Sequence, residues 1–103
     1  MNISRINFEW HDEKAASNLK KHGISFEEAE TVFGDEFALV NRDDKHSEIE
    51  ERWLIIGTAS IGYILIVSFT MRDHKTRIIS VRRANEKERE QYQTFRTGRL
   101  GST

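Results

Sequence analysis

The fold is set by one stretch near the C-terminal end, Arg-Ile-Ile-Ser-Val-Arg-Arg-Ala at residues 77–84. Its aliphatic and β-branched side chains predict a strand. Side chains in a strand alternate between the two faces of a sheet. The alternation divides the stretch into two sets, Ile79, Val81 and Arg83 on one face and Ile78, Ser80 and Arg82 on the other. One arginine is therefore expected on each face at the end of this strand.

A helix is predicted directly after this strand. Asn85 can cap its N-terminus, and Glu88 stands three residues later, at the position of a capping-box carboxylate. We expect this helix to cover residues 86–95 and residues 97–103 to form a flexible tail. Arg82 is thus held where a rigid strand passes into a helix. Its planar guanidinium presents five donors that match phosphate oxygens.

The composition fits one intracellular domain. The chain has 103 residues without cysteine or proline, near the commonest domain size, and residues 8–96 are expected to form the ordered core of a single domain over 1–103. The lack of cysteine excludes disulfides and thiolate metal sites. Because no apolar run could span a bilayer and no signal-peptide pattern is found, a cytoplasmic location without a membrane partner is predicted.

Charge is distributed unevenly along the chain. Residues 1–71 contain 7 Lys/Arg and 13 Asp/Glu, whereas residues 72–103 contain 9 Lys/Arg and 4 Asp/Glu. The net charge of −1 therefore hides a basic C-terminal third. A basic region favours an anionic partner, because local potential rather than net charge attracts a ligand. The other interpretation is that many of these cations only solvate the last helix.

The order of the predicted elements is typical of an α+β domain. An aromatic segment, Phe8 to Trp10, is either an edge strand or a core anchor. The other predicted elements are helices at 13–22 and 26–33, strands at 36–41, 52–58, 63–71 and 77–83, and the helix at 86–95. Tight turns between the last three strands predict an antiparallel meander. We expect a sheet of about four strands, with both N-terminal helices on one face and a C-terminal helix.

Alternation along these strands predicts one apolar face and one mixed face. The apolar face, which should meet the two helices, comprises Trp53, Ile55, Tyr63, Leu65, Val67, Phe69, Ile79 and Val81. The mixed face comprises Arg52, Leu54, Ile56, Ile64, Ile66, Ser68, Thr70, Arg72, Ile78, Ser80 and Arg82. In register, its hydroxyls and arginines form a shallow basic patch that suits a nucleic-acid backbone.

Two interpretations of these arginines are open. They bind an anion, or they close ion pairs with an acidic loop that offers Glu48, Glu50 and Glu51.

Other candidates carry weaker signals. The four histidines lack the spacing of a helical metal site, and neither a metal nor a cofactor is predicted. His46 and His74 lie in loops near the basic strands and are candidate acids or bases. Tyr92 on the last helix either stacks on a base or belongs to the core.

Several motifs resemble those of the BrnT-type toxins. The first part of the chain contains Phe-Glu-Trp at 8–10, Lys-His-Gly-Ile-Ser-Phe at 21–26 and Val-Phe at 32–33. The later part contains His-Ser-Glu at 46–48, Glu-Arg-Trp at 51–53 and Ile-Ile-Ser-Val-Arg-Arg-Ala at 78–84. The resemblance covers about residues 8–93. It implies a fold similar to that of the RelE-type toxins, an antiparallel sheet flanked by helices.

The resemblance also implies a function. It implies a ribonuclease toxin of a type II toxin–antitoxin pair, which cleaves RNA, free or on the ribosome, and so inhibits translation. It implies a cognate antitoxin that neutralises the toxin and binds DNA, so that the toxin meets DNA only through the antitoxin.

Site residues follow from the resemblance and the basic patch together. The predicted catalytic residues are Arg52, Arg82, Arg83, His74 and His46. In metal-independent cleavage the arginines hold the phosphate, and His74, His46 or Glu48 moves protons while the ribose 2′-hydroxyl attacks. Further RNA contacts are predicted at Arg72, Arg77, Tyr92 and Lys21. The alternative is a non-catalytic module that binds RNA or the antitoxin, since phosphate binding and phosphate cleavage need the same cations.

Overall fold

The predicted α+β order is confirmed. The computed structural model describes residues 5–101 and the side chains of residues 5–98. Its elements are β1 (Phe8–Glu9), α1 (Asp12–His22), α2 (Phe26–Val32), β2 (Leu39–Arg42), β3 (Trp53–Thr58), β4 (Ile64–Arg72), β5 (Lys75–Arg83) and α3 (Glu86–Gly101), with a short 3-10 turn at Asp44–His46. Helix α3 continues through residues 97–101, beyond the predicted helix end at residue 95, and the flexibility of this tail stays a prediction. Residues 102–103 of that tail lie outside the described part.

The sheet has five strands in the order β1-β5-β4-β3-β2, one more than expected. The additional strand is the aromatic segment: β1 pairs in parallel with β5 through Phe8–Thr76 and Glu9–Arg77. The other neighbours are antiparallel. The β4–β5 turn uses Asp73 and His74, both at positive φ, as a two-residue hairpin turn of the I′ type requires.

One pair of residues exchanges faces relative to the prediction. Pairing between β4 and β5 passes from Ser68–Ser80 to Phe69–Ile78, so Ile79 is an extra residue in a β-bulge. Ile78 therefore lies in the core at 1% exposure, whereas the prediction had placed Ile79 there. Because the bulge lies before Val81, the faces of Val81 and Arg82 are as predicted.

Helices α1 and α2 pack on the apolar face of the sheet. Phe26, Leu65 and Val67 are fully buried in this core. The amide of Asn18 fixes α1 to β5: its nitrogen donates to the Val81 carbonyl at 2.9 Å and its oxygen accepts from the Val81 N–H at 3.0 Å. β1 pairs only with residues 76–77 of β5, so Asn18 satisfies backbone groups that would otherwise lie buried without a partner.

Helix α3 packs on part of the opposite face through Tyr92, which is 1% exposed. The Tyr92 hydroxyl donates to Asp35 and lies 3.0 Å from the Thr58 hydroxyl. Gly57 makes room for the Asp35 carboxylate, since a Cβ at Gly57 would lie 3.0 Å from Asp35 Oδ2. We call the part of this face beyond α3, around Leu54, Ser68, Ser80 and Arg82, the open face.

Candidate functional site

Arg82 lies at the α3 end of the open face and is held by Glu88. The two terminal nitrogens of Arg82 donate to the two Glu88 oxygens at 2.8 and 2.9 Å. The predicted capping box is present, because Glu88 Oε1 accepts from the Asn85 N–H and Asn85 Oδ1 accepts from the Glu88 N–H, both at 2.8 Å. The bonds from Arg82 lower the pKa of Glu88, and the bonds to Glu88 raise the pKa of Arg82. The arginine and the helix start therefore form one rigid unit.

The Arg82 guanidinium has N–H groups that Glu88 does not bind. Glu88 takes one N–H from each terminal nitrogen, and the Arg83 carbonyl accepts from Nη1 at 3.3 Å. Among the described residues, the Nε–H and one Nη2–H of Arg82 have no acceptor. The side chain is 44% exposed, so a phosphate can still approach these two donors.

A second cluster, formed by Arg52, Arg72 and Glu50, lies farther along the same face. Glu50 Oε1 is 3.7 Å from Arg52 Nε, and Glu50 Oε2 is 3.7 Å from Arg72 Nη2. Both separations exceed an N–H···O hydrogen bond. Arg52 Nε is inaccessible to solvent and has no hydrogen-bond partner among the described residues. We call this group the Arg52–Arg72 cluster.

His46 stands beside Arg52. The two residues line one cleft of about 340 Å³. His46 Nδ1 lies 2.9 Å from Asp43 Oδ2, and the Asp43 side chain is only 13% exposed. Because a carboxylate only accepts, this contact assigns the proton of a neutral His46 to Nδ1 and leaves Nε2 as an acceptor. An oriented imidazole and an arginine thus share one cleft.

Three predicted residues lie away from the open face. Arg83 is on the helix side, with its guanidinium 3.8 Å from the centre of the Tyr63 ring. Lys21 is exposed on α1, which packs on that same side. His74 is in the β4–β5 turn and lines a groove of the helix side with Phe33. The structure does not bring these three side chains to Arg52 and Arg82.

Two further predicted RNA contacts have other surroundings. Arg77 is on the open side of β5 but at its β1 edge, where Nε donates to Glu9 at 2.9 Å. Tyr92 is in the interior, so its ring has no free side for a base. Burial and the bond to Asp35 raise the pKa of Tyr92. We therefore leave Tyr92 out of the RNA contacts proposed below.

The predicted ion pairing with the acidic loop is present in part. Glu50 contacts Arg52 and Arg72, while Glu51 lies 4.0 Å from Arg42 instead. These are partly exposed pairs at long distance, which contribute little to stability. These weak ion pairs therefore do not prevent Arg52 and Arg72 from binding an anion.

Sequence reasoning missed two partners of the site. Glu88 was predicted as a helix cap, but its bidentate contact with Arg82 was not. Asp43 was not singled out at all, although it precedes His46 by three residues, a spacing that suits a side-chain contact in a helical turn.

Within the described residues, no three His, Asp or Glu side chains are grouped to hold a metal ion. In the same part of the chain, every helix is too short or too polar to cross a membrane.

The chain is similar to known proteins in sequence and in fold. Residues 10–88 match the family model described as the ribonuclease toxin BrnT of type II toxin–antitoxin systems. The crystal structure of the Brucella abortus ribonuclease toxin BrnT is similar to this chain with a TM-score of 0.61 and 24% identity. The similarity covers 79% of this chain and 99% of that one. No curated protein matches by sequence.

Proposed function

The chain belongs to the BrnT family of ribonuclease toxins of type II toxin–antitoxin systems, and from this we propose that it cleaves RNA on the open face without a metal ion. The observation that carries the proposal is the shared cleft of Arg52 and His46. It combines a phosphate-binding cation with an oriented proton acceptor. Arg82 adds a second cation on the same face.

The two cations are spaced for a single strand of RNA. Arg82 is opposite Ile66 in β4, and Arg52 adjoins Glu51, whose carbonyl accepts from the Thr70 hydroxyl. Ile66 and Thr70 are four residues apart, about 13 Å along a strand. We propose that the RNA backbone follows β4, with one phosphate at Arg82 and the scissile phosphate at Arg52.

The proposed reaction is an internal transesterification. The ribose 2′-oxygen attacks the adjacent phosphorus and gives its proton to His46 Nε2. Arg52 neutralises the charge that develops on the phosphate oxygens. The bond to the 5′-oxygen breaks, and this oxygen takes a proton from water. The products are a 2′,3′-cyclic phosphate and a 5′-hydroxyl.

Cleavage of RNA in EDTA tests this proposal. Purified protein is incubated with a defined RNA, with and without ribosomes, and beside the same RNA carrying 2′-deoxyribose at the cleaved position. We expect cleavage of the all-ribose RNA only, with cyclic phosphate ends. Cleavage that stops in EDTA, or that continues at the deoxyribose, would contradict the mechanism.

The antitoxin is expected to act on this same face. We propose that cleavage occurs in the cytoplasm and stops translation, and that a DNA-binding antitoxin neutralises the toxin by covering the cationic open face with acidic groups. Titration calorimetry with the Arg52→Ala/Arg82→Ala variant tests this. We expect weaker antitoxin binding than to the wild type, and equal affinity would argue against direct masking.

One observation favours a non-catalytic binding module as the second candidate. Both cationic groups already have a carboxylate beside them, Glu88 at Arg82 and Glu50 at Arg52. Such a module would bind RNA or antitoxin without cleavage under any of the conditions above.

A further inference from the structure

Glu50 neutralises two arginines without a hydrogen bond to either. It lies between β2 and β3, and each of its oxygens is 3.7 Å from a different guanidinium. These are its contacts with cations among the described residues. By comparison, an N–H···O bond to a carboxylate is typically about 2.7–2.9 Å long. The carboxylate therefore shares the space between Arg52 and Arg72 and satisfies neither.

The long contact with Glu50 leaves Arg52 Nε without a hydrogen-bond acceptor. This atom is inaccessible to solvent and has no hydrogen-bond partner among the described residues, which is unusual for a buried polar atom. A phosphodiester offers two charged oxygens on a tetrahedral phosphorus, and arginine forks match this geometry. It can accept from both guanidiniums at hydrogen-bond distance, which the single planar carboxylate of Glu50 does not do here.

On the basis of the proposed RNA-cleaving function, we propose that Arg52 and Arg72 form a phosphate subsite that Glu50 occupies until RNA displaces it. Displacement is feasible because the Glu50 and Arg72 side chains are 34% and 53% exposed. The contrast with Glu88 supports the assignment. Glu88 is tied to Arg82 by two short bonds and caps α3, whereas the described contacts of the Glu50 carboxylate are these two long pairs.

The subsite predicts a specific effect on affinity. RNA that enters must break the contacts of Glu50 before it gains those of the phosphate. Removing the Glu50 charge should therefore strengthen RNA binding, and it should do so only while Arg72 is present. The gain should be largest at low salt, because the interaction is electrostatic.

The probe is a fluorescent 2′-O-methyl oligoribonucleotide, which lacks the attacking hydroxyl and so reports binding without cleavage. Fluorescence anisotropy would compare the wild type with Glu50→Gln and with Glu51→Gln. Glu51 follows Glu50 on the same loop, but its Oε1 lies 4.0 Å from Arg42 Nη2, so its substitution removes the same charge without releasing Arg52 or Arg72. Circular dichroism would confirm that each variant is folded.

We expect Glu50→Gln to bind about 3- to 10-fold more tightly at low salt, and Glu51→Gln to change affinity less than about 2-fold, in line with one released contact. In an Arg72→Ala background the gain from Glu50→Gln should disappear. Glu50→Asp, which keeps the charge but withdraws it by one methylene, should give part of the gain and serves as the second variant if Glu50→Gln is unfolded.

Equal effects of the two glutamine substitutions, or weaker binding by Glu50→Gln and Glu50→Asp, would overturn the subsite. A failure of the subsite can be distinguished from a failure of the proposed RNA cleavage. A gain at Glu50 with no RNA cleavage by the wild type would contradict the ribonuclease mechanism and leave the subsite intact. Cleavage that depends on Arg52, with no gain at Glu50, would overturn the subsite alone.

Discussion

Each of the two cationic groups of the open face has arginine beside a glutamate, but the carboxylate is tightly bonded in one group and loosely paired in the other. At one end, Arg82 and Glu88 are joined by two short hydrogen bonds, and Glu88 also caps α3. At the other end, Glu50 lies 3.7 Å from Arg52 and from Arg72. The carboxylate is therefore held at short distance in the first group and is loosely paired in the second, and we propose that only the loosely paired carboxylate gives way to an anion.

The difference suggests a division of tasks. A fixed guanidinium gives the RNA a reference point, since little conformational entropy is lost when a phosphate binds to it. A loosely paired guanidinium next to His46 can change its partner as the phosphate arrives. Preorganisation at Arg82 and exchange at Arg52 would together place the scissile bond beside the proton acceptor.

The largest expected effect is the loss of Arg82. Arg82→Ala should lower the cleavage rate by about 100-fold, because Arg82 positions the neighbouring phosphate and a misplacement of about 1 Å at the reacting bond can cost that much. The neighbouring Arg83→Ala is the matched control, because it removes the same charge from the helix side of the sheet. We expect a loss of less than about 5-fold for Arg83→Ala. Equal losses measured by initial rates would contradict the assignment of the open face.

A smaller effect is expected from the partner of His46. Asp43→Asn should lower the cleavage rate by about 10-fold, because the amide can turn its NH₂ group to Nδ1 and favour the wrong tautomer. This is less than the roughly 10²–10⁴-fold that general acid–base catalysis contributes, since the imidazole itself stays in place. The pH–rate profile should change with it, whereas the affinity for an uncleavable oligonucleotide should not. A change in affinity alone would assign Asp43 to the loop structure and not to His46.

The two carboxylates should differ in their effects on stability. Glu88→Gln should lower the free energy of unfolding by about 1 kcal/mol, typical of a weakened helix cap, while Glu50→Gln should change it by less than about 0.5 kcal/mol. Urea unfolding of both variants measures this. A larger cost for Glu50→Gln would mean that its contacts stabilise the fold.

The smallest expected effect is the pH dependence of the stability difference between the wild type and Glu88→Gln. The pKa of Glu88 is lowered in the folded state by the bonds from Arg82, so the ionised carboxylate stabilises the protein above the ordinary glutamate pKa, about 4.3. The contribution should be lost as the pH falls through the lowered folded-state value. The free energies of unfolding of the wild type and Glu88→Gln should therefore become equal at acidic pH. A difference that does not change with pH would contradict the ionic contribution of the Arg82–Glu88 contact.

Alternation and turn residues were enough to predict most of the sheet. Local periodicity, which the sequence displays directly, predicts the meander and the separation of Arg82 from Arg83. The cap at Asn85 follows from residue types at a fixed spacing. β1 was only one of two alternatives, because two residues carry no periodic pattern. The exchange of Ile78 and Ile79 follows from a bulge, which inserts a residue without a sequence signal of its own.

The positions of the candidate site residues on the sheet were more predictable than their contacts. Arg52 and Arg82 were placed on the correct face from alternation alone. The selection of Glu50 from three neighbouring glutamates, and of Glu88 as the partner of Arg82, depends on side-chain geometry between elements that are separate in the sequence. Tyr92 shows the same limit, since its position on α3 was compatible with either surface or core until the packing of α3 was known.

The most direct test of the account is to observe which arginines RNA contacts. Nitrogen-15 spectra of the arginine Nε–H groups would be recorded while an uncleavable 2′-O-methyl oligonucleotide is added. We predict shifts at Arg52, Arg72 and Arg82, with Arg83 unchanged on the other side of the sheet. Shifts confined to Arg83, or none at Arg52 and Arg82 at saturating RNA, would contradict the open face as the RNA site.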